Sequence, residues 1–143
     1  APAGVGDLPS LPTRELIRRL RDSKDGAEQS YLRLELGRRK LLAWVDVIKK
    51  KSWVGNDSVS VVAGGQQGRS TGSVSIPEGQ SNVFSLPILS LWPLPDPLVV
   101  EVHNFGFLGN ELIGSVAWPA PYTAQYMATL TSGSAKYTLQ VSM

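Results

Sequence analysis

From Ser30 onward, the chain consists largely of short segments in which apolar and polar residues alternate, and this pattern restricts its fold most strongly. The clearest segment is Lys136–Ser142, where every second residue is apolar. Because successive side chains of a strand point to opposite faces, a period of two predicts strands with one buried face. Fourteen glycines and ten prolines favour turns and leave little room for long helices.

Eight strands are predicted, with clusters of Gly, Ser, Asn and Pro between them. They are Tyr31–Leu36, Leu41–Ile48, Ser58–Ala63, Gly72–Ile76, Val83–Leu91, Leu98–His103, Glu111–Ala117 and Lys136–Ser142. Gly37–Lys40 is predicted to be the turn of a hairpin between the first two. Short strands separated by turns, in a chain of 143 residues, indicate one all-β domain that is either a sandwich or a barrel.

One helix is predicted ahead of the strands, over residues 12–23. Arginines cover most of its surface, and its apolar face is formed by Leu16, Ile17 and Leu20. We therefore interpret residues 1–29 as an arm followed by a basic amphipathic helix, and residues 30–143 as the β domain. A helix this short is marginal in water by itself, so another surface must cover its apolar face.

Three surfaces are open to that helix: the β domain itself, a protein partner or a membrane. The residues predicted to dock it are Leu16, Ile17, Leu20 and Arg18. An arm and a helix attached to a β domain also suit a peripheral subunit of a larger protein complex.

The charge distribution is uneven although the net charge is only +2. Nine of the 14 basic residues lie at or before Lys40, and three more are Lys49, Lys50 and Lys51. Such a mild net charge does not indicate a nucleic-acid partner, and aromatic residues are not interleaved with the basic ones as base stacking would require. The chain has no cysteine, which excludes disulfides and thiolate chemistry.

Four segments together resemble a synaptotagmin-type C2 domain, in order and in spacing. Tyr31–Leu36 and Leu41–Ile48 are similar to its opening hairpin, and Asp57–Val61 to its Asp-Pro-Tyr-Val-x-Val strand. Asn82–Phe84 is similar to the start of its Asn-Pro-x-Trp segment, and Leu98–Gly114 to the strand and loop that end in Asp-x-Ile-Gly. The resemblance covers residues 30–143 and implies an eight-stranded antiparallel β-sandwich with one N-terminal α-helix.

The calcium ligands of that family are mostly missing here. Asp57 and Glu111 match two acidic positions, but Asn104 and Gly106 stand where the resemblance would place two central aspartates. Lysines 49–51 lie near where another aspartate would sit. Because calcium needs six to eight oxygen ligands, several of them charged, we predict that no metal and no other cofactor is bound.

The resemblance implies that the loops 49–57 and 104–111 lie side by side at one end of the sandwich. Residues predicted to bind a membrane or a partner there are Lys49, Lys50, Lys51, Trp53, Val54, Phe105, Phe107 and Leu108. Aromatic rings beside lysines suit an anionic membrane surface, and apolar patches on small domains also mark protein interfaces. The same rings would alternatively fill the end of the sandwich.

Two functions follow. The first is a non-catalytic, calcium-independent C2-like module that acts as an adaptor or peripheral subunit of a membrane-associated assembly. The alternative is direct docking to anionic phospholipid through the loop tips. Both predict an intracellular location peripheral to a membrane. The first residue, Ala1, fits either an artificial start or removal of a transit peptide, which would make the location organellar.

The sequence contains two weak catalytic signals and one glycosylation motif, and none of them has the context that its chemistry requires. Gly68–Gly72 matches Gly-x-Ser-x-Gly, but a nucleophile elbow lies between a strand and a helix of a large α/β sheet, whereas both neighbours here are predicted strands. His103 is the only histidine, and without other histidines or cysteines it is interpreted as a strand-end residue. Asn56–Ser58 is a glycosylation sequon, which we interpret as a chance match.

Overall fold

The structure is a computed structural model that describes residues 5–64, 68–106, 109–122 and 125–143. Two helices, α1 (Thr13–Asp22) and α2 (Gly26–Leu36), precede nine strands. The strands are β1 (Lys40–Lys49), β2 (Asp57–Ala63), β3 (Arg69–Ser70), β4 (Val74–Ile76), β5 (Ser81–Pro87), β6 (Leu98–Gly106), β7 (Gly109–Trp118), β8 (Tyr126–Ser132) and β9 (Ala135–Ser142). Short 3₁₀ helices occupy Val5–Ser10 and Ile88–Leu91. No helix in the described ranges is long and apolar enough to cross a membrane.

The strands form two antiparallel sheets that pack face to face. The first sheet has the order β5-β1-β9-β8, and the second has the order β3-β2-β6-β7 with β4 also paired to β2. In β1, β2, β6 and β9, every second side chain is buried, as one covered face requires. The predicted antiparallel β-sandwich is therefore confirmed, with nine strands instead of eight.

The strand predicted at Tyr31–Leu36 is wrong, because this segment belongs to helix α2. The Asp25 carboxylate caps the helix by accepting a hydrogen bond from the amide of Ala27 at 3.1 Å. Leu32 and Leu36, four residues apart, share the buried face of the helix. Leucine, glutamate and arginine favour helices, so residue type should have outweighed a leucine at every second position. Gly37–Lys40 consequently joins a helix to β1 and is not a hairpin turn.

Three smaller differences explain the strand count. Strand β8 was not predicted, because its sequence of Met, Ala, Thr and Ser has only weak alternation. The predicted strand Val83–Leu91 ends at Pro87 and continues as a 3₁₀ helix. The strand predicted at Gly72–Ile76 is shorter, β4 at Val74–Ile76, and the two-residue strand β3 at Arg69–Ser70 was not predicted.

The helices close one end of the sandwich. Leu16, Ile17 and Leu20 of α1 are buried in the same hydrophobic core as the inner faces of the sheets. Arg39, directly before β1, donates to the carbonyl oxygens of Leu8 and Pro9 at 3.4 and 3.1 Å. It also donates to Thr13 Oγ1 and Glu35 Oε1 at 3.3 and 3.1 Å. One guanidinium thus joins the N-terminal segment, both helices and the first strand.

The register of the strands defines two ends. Lys40 of β1 lies opposite Pro87, and Leu98 of β6 lies opposite Trp118, at the end that the helices close. At the other end, the β8–β9 turn follows Ser132, β1 ends at Lys49 and β2 begins at Asp57. We call this second end the tip, meaning residues 49–57, the described part of 104–111, and the β8–β9 turn.

Candidate functional site

The base of the tip is held by the Asp57 carboxylate, which is fully buried. Its Oδ2 accepts a hydrogen bond from the amide of Lys51 at 2.6 Å, and its Oδ1 accepts one from the amide of Ser52 at 2.8 Å. The hydroxyl of Tyr137 donates a third hydrogen bond to Oδ2. Asp57 therefore fixes the first residues of the loop 49–57 to the start of β2.

Burial and hydrogen bonding act in opposite directions on Asp57. Burial raises the pKa of its carboxyl, but the hydrogen bonds from Tyr137, Lys51 and Ser52 outweigh this effect and hold the pKa below its ordinary value. Burial, followed by the hydrogen bond to Asp57, raises the pKa of the Tyr137 hydroxyl. Asp57 is thus ionised at neutral pH and Tyr137 is neutral, which is the combination that their hydrogen bond requires.

The sequence resemblance placed Asp57 at a calcium-ligand position, and the structure gives its oxygens protein donors. Within the described ranges, no group of three or more His, Cys, Asp or Glu side chains is arranged to hold a metal ion. Asn104, at one of the central aspartate positions, is also buried and accepts a hydrogen bond from the amide of Ser58 at 2.9 Å. This bond places the end of β6 beside the start of β2, so the two tip loops are neighbours.

Lys51 connects three parts of the tip. Its Nζ donates to the carbonyl oxygen of Ser132 at 3.2 Å and to Ser132 Oγ at 3.4 Å. The same nitrogen lies 3.9 Å from Glu111 Oε2. The ammonium group therefore links the loop 49–57 to the β8–β9 turn and to β7. Because its charge faces these groups, Lys51 mainly fixes the shape of the tip and adds little to the positive charge that the tip presents to solvent.

Large apolar side chains project from this fixed base into solvent. Trp53 is 98% exposed and Val54 is 91% exposed, and Phe105 at the end of β6 is 62% exposed. The structure thus places these rings outside the core, not inside the end of the sandwich. Phe107 and Leu108, which were predicted to belong to the same surface, lie outside the described residues.

Two lysines flank the exposed rings. Lys49 is exposed at the end of β1. Lys50 Nζ donates to the carbonyl oxygen of Gly55 at 3.0 Å, and its amide donates to Glu78 Oε1 at 3.3 Å. The loop is therefore braced on both sides of Trp53. A cleft of about 670 Å³ lies between the tip loops and is lined by Lys51, Ser52, Trp53, Val54, Asn104, Gly106 and Glu111.

The predicted docking residues of the helix lie at the opposite end. Leu16, Ile17 and Leu20 are covered by the chain's own core, which is one of the three arrangements considered above. Arg18 is exposed and forms ion pairs with Glu15 and Asp22 of the same helix. The structure brings none of these residues near the tip.

Sequence reasoning missed a second exposed apolar surface, on the outer face of the first sheet. We call it the β1 face; its members, 42% to 67% exposed, are Leu42, Trp44, Ile48, Val83 and Met127. The one sequence signal for this surface is that Leu41–Ile48 is apolar at nearly every position. Such a run is typical of a strand covered on both faces. The structure covers only the inner face.

The two rejected catalytic candidates, His103 and Ser70, each have local hydrogen-bond partners. His103 Nε2 lies 2.9 Å from Glu101 Oε2, and its Nδ1 lies 3.2 Å from the side-chain amide of Asn110. Both ring nitrogens therefore already have partners on the surface of the second sheet. Ser70 of the Gly-x-Ser-x-Gly match lies in the short strand β3 and donates to the carbonyl oxygen of Thr71.

Comparison with known proteins adds one structural likeness. No protein-family model matches the sequence, and no curated protein matches it. Among solved structures, the chain is similar to one titled BON1-C2B, with a TM-score of 0.44 and 14% sequence identity, covering 76% of this chain and 92% of that one. With so low a sequence identity and TM-score, this likeness says nothing about function.

Proposed function

We propose that the chain is a non-catalytic, calcium-independent C2-like module that docks on an anionic membrane surface through its tip. The observation that carries this proposal is the exposure of Trp53 and Val54 on a loop whose base is held by Asp57 and Lys51. Two apolar side chains that remain exposed to water bury little surface within the fold. Exposed apolar side chains at a loop tip are typical of surfaces that bind a partner or enter a lipid interface, which supports the proposal.

The electrostatics of the tip favour an anionic surface. Lys49 and Lys50 precede Trp53 by four and three residues in the chain, and each lysine near such a membrane contributes about 1 kcal/mol. Salt screens this contribution, because the Debye length falls from about 10 Å at 0.1 M to about 3 Å at 1 M ionic strength. Binding through the tip should therefore weaken as salt is added, while the apolar contribution of Trp53 persists.

Calcium independence follows from the same contacts. Asp57 accepts three hydrogen bonds from protein groups, and the Lys51 ammonium group already bridges the loops at the tip. A divalent cation would have to displace these donors and overcome the repulsion of the nearby lysines.

Liposome co-sedimentation tests the proposal, with vesicles of phosphatidylserine and phosphatidylcholine compared with vesicles of phosphatidylcholine alone. We expect binding to the anionic vesicles that is unchanged by a calcium chelator. Trp53→Ala should weaken it by at least about tenfold, because the indole side chain enters the interface. Trp44→Ala is the matched control, since it removes the same exposed side chain from the side of the sandwich and should leave binding unchanged.

Two outcomes would contradict the proposal. Equal binding by the Trp53→Ala variant and the unaltered protein would show that the tip does not enter the lipid. Binding that appears only when calcium is added would show that the carboxylates of the tip serve as ligands despite their protein partners.

An adaptor or peripheral-subunit role is the second candidate. The observation that favours it is the β1 face, an apolar surface on the side of the sandwich that the helices do not cover. The two roles are compatible, since the tip and the β1 face are separate surfaces.

A further inference from the structure

The β1 face forms a continuous patch because its residues are neighbours across the first sheet. Trp44 of β1 lies opposite Val83 of β5 on one side and Gln140 of β9 on the other, and Gln140 lies opposite Met127 of β8. This row crosses all four strands, a width of about 14 Å. Leu42 and Ile48 extend the patch along β1 for about 20 Å.

Trp44 is held in place before any partner arrives. Its Nε1 donates to Asp46 Oδ1 at 2.7 Å, and Asp46 Oδ2 accepts a hydrogen bond from Thr138 Oγ1 at 2.9 Å. A fixed aromatic side chain loses little conformational freedom on binding, which is a property of residues that anchor interfaces. Both oxygens of Asp46 are engaged, so this carboxylate does not present a free anion to a partner.

The charges around the patch are complementary to an acidic partner. Within the four strands of the first sheet, all of which the structure describes, Asp46 is the only acidic residue. Lys40 is on the same face of β1 as Trp44, and Lys136 is on the same face of β9 as Gln140. The two lysines lie near opposite ends of the apolar patch. A lysine therefore lies near each end of the patch, while Glu78, outside these strands, accepts a hydrogen bond from the amide of Lys50 beyond Ile48.

A membrane that receives the tip could reach the Ile48 end of this patch but not its centre at Trp44. Trp44 precedes Lys49 by five residues of extended strand, about 17 Å, whereas interfacial segments enter the lipid by about 5–10 Å. The occupant of the centre of the β1 face must therefore be something other than the membrane at the tip.

We propose that the β1 face binds an amphipathic helix of a protein partner, with acidic residues near both ends of the apolar stripe of that helix. A helix of about 14 residues is about 20 Å long, which matches the patch along β1. Its apolar residues at i, i+3, i+4 and i+7 contact Leu42, Trp44 and Ile48, while its carboxylates pair with Lys40 and Lys136. This inference rests on the adaptor role and is independent of membrane docking.

The test uses a synthetic helical peptide with leucines on one face and glutamates near both ends of that face. Its fluorescein-labelled form is titrated with the intact chain, and binding is followed by fluorescence anisotropy. We expect saturable binding that Trp44→Ala weakens by at least about tenfold and that Trp53→Ala leaves unchanged. Replacing the peptide glutamates with lysines, or shuffling its sequence, should abolish binding. A second variant, Met127→Ser, should weaken binding with no change in the folded spectrum.

Amide and indole N–H signals in two-dimensional NMR locate the peptide. Shifts confined to residues of β1, β5, β8 and β9 support the proposal, and shifts confined to the tip overturn it. Absence of saturable binding, equal affinity for the shuffled peptide, or peptide binding that survives Trp44→Ala also overturns it. Light scattering of the free chain tests whether the face instead pairs two copies, in which case Trp44→Ala would convert a dimer to a monomer. Membrane docking has its own test with liposomes and Trp53→Ala, so either proposal can fail alone.

Discussion

The hydroxyl of Tyr137 donates a hydrogen bond to the Asp57 carboxylate across the interior of the sandwich, from β9 of the first sheet to β2 of the second. The same carboxylate accepts the amides of Lys51 and Ser52 in the tip loop. The core and the candidate docking surface therefore share one buried anion, and changes at Tyr137 should affect both stability and the tip.

Tyr137→Phe removes this hydrogen bond and leaves the ring in place. We expect the free energy of unfolding to fall by about 1–3 kcal/mol, because a buried carboxylate loses one of its three donors. Urea denaturation followed by circular dichroism measures the change. Tyr126→Phe is the matched control: Tyr126 is 39% exposed, and its replacement should change stability by less than about 0.5 kcal/mol. A loss of the same size in both variants would contradict the special role of Tyr137.

Acid should destabilise the fold through Asp57. Its pKa in the folded protein lies below the ordinary value of 3.8, so the stabilisation is present above pH 3.8 and is lost as the pH falls through the folded-state pKa. Urea unfolding at a series of pH values measures this dependence. Asp57→Asn cannot titrate, so its free energy of unfolding should fall less steeply in this range than that of the unaltered protein. If the free energy of unfolding falls equally steeply with pH in the two proteins, Asp57 is not the source of the acid destabilisation.

Lys51→Met should loosen the tip without unfolding the sandwich. The substitution removes the hydrogen bonds to Ser132 and the charge facing Glu111, while much of the aliphatic stem is retained. Hydrogen–deuterium exchange measured by mass spectrometry should become faster in residues 49–57 and remain unchanged in β1 and β9. Lys136→Met is the control, since its effect on exchange in that loop should be small. Unchanged exchange at the tip in Lys51→Met would show that the ammonium bridge does not order it.

Gly114→Ala should destabilise the side of the sandwich where β7 approaches β8. A Cβ atom at position 114 would lie 3.0 Å from the Cβ and Cδ2 atoms of Leu130, which is too close for an undisturbed contact. We expect a loss of about 1–3 kcal/mol in the free energy of unfolding, as for other overpacked sites. Gly72→Ala is the control, because no atom lies within 4 Å of its added Cβ. Thermal unfolding of the two variants compares them directly.

The sequence predicted those parts of the fold in which the pattern along the chain determines the structure. Strand β9 follows from regular alternation, β1 follows from a nearly continuous apolar run, and α1 follows from its apolar face. The helix at Tyr31–Leu36 was missed because a leucine at every second position was given more weight than the helix-favouring residue types around it. Leu32 and Leu36 pack on the core while Leu34 is exposed, as a helix requires and a strand does not.

The candidate site was less predictable, because its geometry depends on contacts between distant residues. The resemblance indicated that Asp57 belongs to the tip, but its partner Tyr137 lies 80 positions away and carries no local indication of that role. The β1 face was hidden for a related reason: an apolar strand does not reveal that one of its two faces lacks a covering layer.

The closure of one end of the sandwich by the helices has a consequence for attached groups. The N-terminal segment is tied to Arg39 at that end, and β9 runs toward it and reaches Ser142 there. A fluorescent protein joined before residue 5 or after residue 143 would therefore project from the side opposite Trp53. Such a label should leave the tip unobstructed, so fluorescence from the fused label could report the height of the sandwich above a supported bilayer. The N-terminal position is preferable for studies of the β1 face, because Ser142 lies opposite Leu42 of that face.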